Sequence, residues 1–247
     1  MRKLGKGLVV GAALVLIGAL SVGCAAGKTY TQNGEQISID EGLYVKALNY
    51  QRDKDYARAL HAWEELLDKE PRCALAHANR GKIYDALNMV PDAIQNYESA
   101  MRYDPSNTET MANLGAAYLR AGRVNQALDI LNDCVSKDPY RATAHFCLSG
   151  AYLEAKQFDK AILHADVAVD LVAVPSKTTE SGLDPTVDRE RLGMYLLRQA
   201  ECHIERGEFE KAKACIARVE KQCNMTVPVE LTARIPAAPA EEPKRPN

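Results

Sequence analysis

The chain has 247 residues and a formal net charge of −2, with 47% hydrophobic against 26% charged residues. This composition excludes a wholly disordered chain, and the lack of a Lys/Arg-rich run argues against a nucleic-acid partner. One Trp, three Phe and 15 Gly are few for a large β-sandwich or barrel. Ala, Leu, Glu and Lys, which are strong helix formers, dominate the middle of the chain, so the composition predicts an all-α fold.

Residues 1–23 have the layout of an export signal. Arg2, Lys3 and Lys6 precede an apolar run over 7–22, and roughly 16 apolar residues are too few for a membrane-spanning helix of about 20. Residues 20–24, Leu-Ser-Val-Gly-Cys, resemble the cleavage box of bacterial lipoproteins. The resemblance implies lipidation at Cys24, hence a membrane anchor and a cell-membrane or outer-membrane lipoprotein facing the periplasm. Plain cleavage nearby and an uncleaved anchor are the alternatives.

Residues 24–39 contain small and polar residues, and we interpret them as a flexible tether. A stretched chain of about 15 residues reaches roughly 50 Å, which would hold a folded domain clear of a lipid headgroup layer.

The next part of the chain repeats every 34 residues. One series is Pro71, Pro105 and Pro139, and two longer series in the same register are Tyr50, Tyr84, Tyr118, Tyr152 and Ala59, Ala93, Ala127, Ala161. The pattern resembles the tetratricopeptide repeat (TPR) family, whose unit is a pair of antiparallel helices. The resemblance implies an all-α helical solenoid with four clear repeats over 40–175.

Small residues mark the predicted helix crossings within each repeat. Gly81 and Gly115 fall where the two helices come closest, so that a larger side chain would push the pair apart. The tyrosine series lies three residues further along the same helices and is predicted to fill the core.

Residues 176–185 break the register and are predicted to be an inserted loop. Glu208-Phe209 repeats the pattern of Gln157-Phe158 after 51 residues, which predicts a divergent fifth repeat, or capping hairpin, over 186–226. The Pro/Ala/Glu-rich residues 227–247 show no periodicity and are predicted to be a disordered tail.

The sequence shows no catalytic motif. It has no Gly-rich phosphate loop, no Gly-x-Ser-x-Gly and no His-Glu-x-x-His, so we expect neither enzyme activity nor a cofactor. The five histidines are scattered, and no metal site is expected. For the six further cysteines the sequence allows two interpretations, disulfide bonds, as is common in exported proteins, or buried free thiols. These residues are Cys73, Cys134, Cys147, Cys202, Cys215 and Cys223.

The family resemblance implies a concave groove lined by the first helix of each repeat. Aromatic and apolar anchors, charged groups and two amides able to pair with a peptide backbone would line it: Tyr44, Leu48, Arg52, Asn79, Lys82, Asp85, Asn113, Arg120, Phe146 and Glu154.

These features predict a non-catalytic scaffold or adaptor, anchored to the bacterial envelope, that binds a protein segment in the groove. Its narrower form is assistance in assembling a secretion or pilus complex, by analogy of layout with TPR lipoproteins. The competing hypothesis is a periplasmic binder of a small ligand or peptidoglycan fragment, held by the inserted loop and last hairpin near Lys177, Arg189, Glu190 and Arg191.

Overall fold

The computed structural model describes residues 28–32, 34–173 and 185–236. The leader with Cys24, the predicted inserted loop up to residue 184 and the tail from 237 onward lie outside these residues. The elements in chain order are β1 (Lys28–Gln32), β2 (Glu35–Ile39), α1 (Glu41–Arg52), α2 (Tyr56–Lys69), α3 (Ala74–Ala86), α4 (Val90–Tyr103), α5 (Thr108–Arg120), α6 (Val124–Lys137), α7 (Ala142–Glu154), α8 (Phe158–Ala173), α9 (Pro185–Arg206), α10 (Phe209–Arg218), a π-helical turn (Val219–Cys223) and α11 (Val229–Thr232).

The helices pair in sequence and stack into an array, as the 34-residue period predicts. Each odd-numbered helix from α1 to α9 packs against the even-numbered helix that follows it, and each pair packs against the next. Successive odd-numbered helices from α3 to α9 also contact one another. The odd-numbered helices therefore form the inner, concave layer of the solenoid.

The predicted close crossings are confirmed. A Cβ atom on Gly81 would lie 2.6 Å from the Tyr97 ring, and one on Gly115 would overlap the Leu131 side chain. Because Tyr97 and Leu131 are buried, their side chains have no space to move away from an added Cβ atom. Glycine at these positions is a requirement of packing and not of backbone conformation.

The turn inside every repeat has the same geometry. The second-to-last residue of each turn has positive φ: Lys54, Asn88, Gly122, Lys156 and Gly207. The following N–H donates to a carbonyl five residues back, for instance from Met89 to Tyr84 at 2.9 Å and from Glu208 to His203 at 2.8 Å. This hydrogen bond caps the C-terminus of a helix that ends with a residue in the left-handed conformation. Since Gly207 keeps the geometry of the other four turns, α9 and α10 form a repeat of the same kind.

The flexible tether predicted for 24–39 is wrong for the part that the structure describes. β1 and β2 form an antiparallel hairpin in which Tyr30 pairs with Ile37. Tyr30, Ile37 and Ile39 pack against the core of the first repeat, and Ile39 is buried. A lone two-stranded hairpin is only marginally stable in water, so its order depends on this docking. No local sequence pattern predicts the docking.

Polar contacts fix the hairpin to the connection between the first two repeats. The buried amide of Gln32 donates to the Arg72 carbonyl at 2.9 Å and accepts from the Ala74 N–H at 2.8 Å. The Tyr30 hydroxyl donates to Cys73 Sγ at 3.0 Å. The hairpin thus satisfies backbone groups at the start of α3 that would otherwise lack a partner.

The disordered tail predicted for 227–247 is also wrong over 227–236, which we call the C-terminal segment. After Asn224, in the left-handed conformation, the chain turns back, and Leu231 and Ile235 pack against Ala200, Ile204, Ala212 and Cys215. The segment has too few apolar residues to fold alone. It is ordered because the fifth repeat presents an apolar surface on which these side chains pack.

Across the described ranges, no helix combines the length and the hydropathy that a membrane span needs.

Candidate functional site: the concave groove

The predicted groove residues all lie on odd-numbered helices, the inner layer of the array. α1 holds Tyr44, Leu48 and Arg52, and α3 holds Asn79, Lys82 and Asp85. Asn113 and Arg120 lie on α5, and Phe146 and Glu154 on α7.

Three of these residues come together at one recess of about 380 Å³, which we call the central recess. Asp85, Arg120 and Phe146 line it with residues from four successive inner helices, the others being Ala116, Leu119, Cys147, Gly150 and Arg198. The small side chains of Ala116 and Gly150 leave the space that larger residues would fill. The recess has an apolar floor with two guanidinium groups and one carboxylate around it.

The charged groups of the central recess are held by neighbours. The Asp85 carboxylate accepts a hydrogen bond from the Tyr97 hydroxyl at 2.9 Å and forms an ion pair with Arg120. Burial, and next the Asp85 charge, raises the pKa of Tyr97, so its hydroxyl stays a neutral donor. The Arg198 guanidinium lies 5.2 Å above the centre of the Phe146 ring and pairs with Glu201 at 3.3 Å. Arg120 and Arg198 are therefore oriented by contacts within the chain, in the absence of a partner.

Arg198, Leu119, Cys147 and Gly150 are recess residues that the groove prediction omitted. Arg198 belongs to the fifth repeat, and the 51-residue offset makes it the equivalent of Cys147. The 51-residue offset predicts the fifth repeat, but the predicted groove includes residues of the first four repeats only.

An ion pair links two inner helices beside the recess. Lys82 Nζ lies 2.6 Å from Glu109 Oε1. The hydrogen bond from Lys82 lowers the pKa of the Glu109 carboxyl, which stays charged at neutral pH. Lys82 is thus paired in this structure, and a partner would have to compete with Glu109 for it.

The binding role predicted for the Asn79 amide is wrong. Asn79 is 6% exposed, and its Nδ2 donates to the Leu75 carbonyl one turn earlier at 2.9 Å. The repeat register places this side chain on an inner helix, but the packing of the neighbouring helices covers it. Asn113, one repeat later, is half-buried.

The predicted aromatic anchors are shared between the groove and the core. Tyr44 packs edge-on against Trp63, with ring centres 5.9 Å apart, and Leu48 packs in the same cluster. Phe146 stacks on Tyr195 of α9 at 4.6 Å. Arg52 and Glu154 are exposed near the ends of their helices, outside the central recess.

A second recess, of about 420 Å³, lies at the C-terminal end of the groove, and we call it the end recess. It shares Phe146 and Arg198 with the central recess. Its other lining residues come from α9 and the C-terminal segment: Met194, Leu197, Glu201, Pro228, Glu230, Leu231 and Arg234. The two recesses are therefore neighbouring parts of one concave surface.

The loop on which the competing ligand-binding hypothesis depends lies outside the described residues, as does Lys177. Arg189 and Glu190 are exposed at the beginning of α9, and Arg191 is half-buried.

The six cysteines are free thiols in this structure: Cys147 is partly buried and the other five are buried. Burial raises the pKa of Cys147 and Cys215 to about 11 and that of Cys202 to about 12. These thiols are protonated at neutral pH and are weak nucleophiles. Within the described ranges, no group of three or more His, Cys, Asp or Glu residues is arranged to hold a metal ion.

Two histidines form a direct hydrogen bond on the fourth repeat. His145 Nδ1 lies 2.9 Å from His164 Nδ1, and His145 Nε2 lies 3.1 Å from the Pro139 carbonyl oxygen. With both rings neutral, His145 donates from Nε2 to that carbonyl, and its Nδ1 accepts from His164 Nδ1–H. Burial, and next the proximity of His145, lowers the pKa of His164 to about 4; burial also lowers the pKa of His145.

This pair predicts a loss of stability in mild acid. The folded chain keeps His164 neutral down to about pH 4, whereas the unfolded chain binds a proton below about pH 6.5. Stability is therefore complete above pH 6.5 and falls between pH 6.5 and 4. Because the ring is partly exposed, we expect a loss of about 1 kcal/mol by pH 5. His164→Gln should reduce this loss in urea titrations at each pH, and an unchanged pH profile would contradict the assignment.

Comparison with known proteins agrees with this architecture. Residues 44–108 and 86–139 match two models of the tetratricopeptide repeat family. No curated protein matches the chain.

Several solved structures share the fold. Residues 41 to the end of MamA from Desulfovibrio magneticus RS-1 are 19% identical with a TM-score of 0.60, over 73% of this chain and 93% of that one. PilF of Pseudomonas aeruginosa is 15% identical with a TM-score of 0.62, over 78% and 80%. YrrB, described as a TPR protein with an unusual peptide-binding site, is 17% identical with a TM-score of 0.54, over 70% and 81%.

The matched residues cover the second repeat, the third and most of the first, and the helical pairing and turn geometry continue through the fifth. The chain is a tetratricopeptide repeat protein.

Proposed function

We propose that the chain is a non-catalytic adaptor of the bacterial cell envelope that binds a segment of a partner protein in its concave groove. TPR proteins mediate protein and peptide binding. The central recess is the observation that carries the proposal for this chain, because it offers an apolar cavity next to oriented charged groups on the inner layer.

The chemistry of the central recess favours a peptide with one bulky apolar side chain. Such a side chain would fill the space over Ala116 and Gly150 and contact Phe146. Carbonyl or carboxylate oxygens next to it would accept hydrogen bonds from Arg120 and Arg198, whose planar guanidinium groups each have several donors.

The sequence of the leader supports the envelope location. If Cys24 is lipidated, only residues 25–27 separate the anchor from the docked hairpin, which begins at Lys28. Four Cα–Cα steps span at most about 14 Å, in place of the roughly 50 Å of a free tether. The first repeat would then lie close to the membrane surface, with the groove extending away from the anchor. Assembly of a secretion or pilus complex is the narrower form of this proposal.

Filling the central recess is expected to abolish partner binding. Ala116→Gln places a larger side chain over the floor of the recess and removes none of its charged residues. In cross-linked affinity purification from native membranes, we expect the specific partner recovered with the wild type to fall at least tenfold. Ala57→Gln is the matched control, since Ala57 is exposed on α2, outside the recess. An unchanged partner list with folded Ala116→Gln would exclude the central recess as the binding site.

The same purification tests the anchor. Cys24→Ser should move the protein from the membrane to the soluble fraction while its circular dichroism spectrum stays the same. Retention on the membrane would indicate an uncleaved leader instead of a lipid.

A further inference from the structure

The C-terminal segment lies on the concave side of the fifth repeat. By the 51-residue offset, Leu197 and Glu205 are the equivalents of Phe146 and Glu154, two of the residues predicted to line the groove. Leu197 lines the end recess together with Leu231 of the segment, and Glu205 forms an ion pair with Arg234. The segment therefore occupies positions where earlier repeats present their groove.

Two kinds of contact hold the segment there. Leu231 and Ile235 pack on the apolar cluster of α9 and α10, which includes Ala200 and Ile204. Three residues after Leu231, the Arg234 guanidinium pairs with Glu205 and lies 4.0 Å from Glu201. Leu231 and Ile235 thus make the apolar contact, and Arg234, three positions after Leu231, makes the charged one.

The segment is weakly held. None of its residues is fully buried, Leu231 and Ile235 are half-buried, and Val229 is 75% exposed. α11 has only four residues, and a single helical turn is not stable by itself. The side chains of Arg234 and Glu205 are each 39% exposed, so solvent and salt weaken their attraction. The end recess also remains unfilled between the segment and α9. A competing peptide could therefore replace the segment without unfolding the repeats.

We propose that the concave face of the fifth repeat is a peptide-binding subsite which the chain's own residues 227–236 occupy, and that partner segments displacing them carry an aliphatic residue followed three positions later by an arginine. The acidic pair Glu201 and Glu205 selects the arginine, and the surface of Ala200 and Ile204 accepts the aliphatic side chain. This subsite is a continuation of the groove and therefore rests on the proposed function. It specifies which side chains the partner segment carries.

A peptide of residues 227–236, labelled with fluorescein, tests the subsite by fluorescence anisotropy with the full chain. Leu231→Asp with Arg234→Glu should release the segment, and we expect this variant to bind the peptide at least tenfold more tightly than the wild type. Binding should weaken as salt is raised. Val229→Asp is the control, because this exposed residue of the same segment makes no docking contact, and it should behave as the wild type.

A charge exchange identifies the acidic partner. A peptide with Arg234→Glu should not bind the release variant, and adding Glu205→Arg to that variant should restore binding. Equal affinity for the wild type and the release variant, or no binding to a folded release variant, would show that the segment is a fixed part of the fold. Loss of folding in both the release variant and the single Arg234→Glu chain would show the same. The assay needs no natural partner, so failure to find one in membranes would count against the adaptor proposal alone.

Discussion

Trp63→Ala is expected to lower the free energy of unfolding by about 3–5 kcal/mol, the usual cost of removing a fully buried aromatic side chain. Trp63 is 0% exposed, packs edge-on against Tyr44, and donates from Nε1 to Gln51 Oε1 at 3.3 Å. Because it is the single Trp of the chain, urea unfolding should be followed by circular dichroism at 222 nm and not by fluorescence.

The loss should be concentrated in the first repeat. In a repeat array each unit contacts mainly its neighbours, so hydrogen exchange should accelerate in α1 to α3 and in the docked hairpin before α7 to α9. Tyr140→Ala is the matched control, because Tyr140 is 81% exposed and its removal should change stability by less than about 0.5 kcal/mol. Similar urea midpoints for the two variants would be inconsistent with a first-repeat core built on Trp63.

Gly115→Leu is expected to cost about 1–3 kcal/mol, and the magnitude should depend on Leu131. Any side chain at position 115 meets Leu131, which is 0% exposed in the centre of the α5–α6 crossing. In the wild type, Leu131→Ala should cost about 2–5 kcal/mol because it leaves a cavity. In the Gly115→Leu background the same truncation makes room for the new side chain and should cost less.

A double-mutant cycle measures the coupling free energy between positions 115 and 131. We expect a favourable coupling of about 0.5–3 kcal/mol between positions 115 and 131 in urea unfolding. Ala57→Leu is the control insertion, since position 57 is exposed on a helix and should show no coupling to Leu131. Additive costs at 115 and 131 would mean that these two residues do not meet.

The 34-residue period was enough to predict the helical array and its crossings. Gly81 and Gly115 recur where the helices must approach closely, and the prolines at 71, 105 and 139 follow the ends of α2, α4 and α6 by two residues. Proline cannot continue a helix and restricts the residue before it, so such signals are local and readable in the sequence.

The binding surface was only partly predictable. The register placed Asp85, Arg120 and Phe146 on the inner layer, where the structure joins them in the central recess. It could not reveal that Asn79 is covered by neighbouring helices or that Arg198 of the fifth repeat completes the recess. Burial and pocket shape depend on how successive repeats rotate against one another, which a single period does not specify.

The sequence by itself therefore determined the repeat, the helix pairs and the small residues at their crossings, because these follow from side-chain size and backbone conformation within one unit. Only the tertiary structure decided that residues 28–39 dock as a hairpin and that residues 227–236 cover the last repeat. Neither segment buries enough apolar surface to fold alone, and each becomes ordered only on a surface that distant residues build.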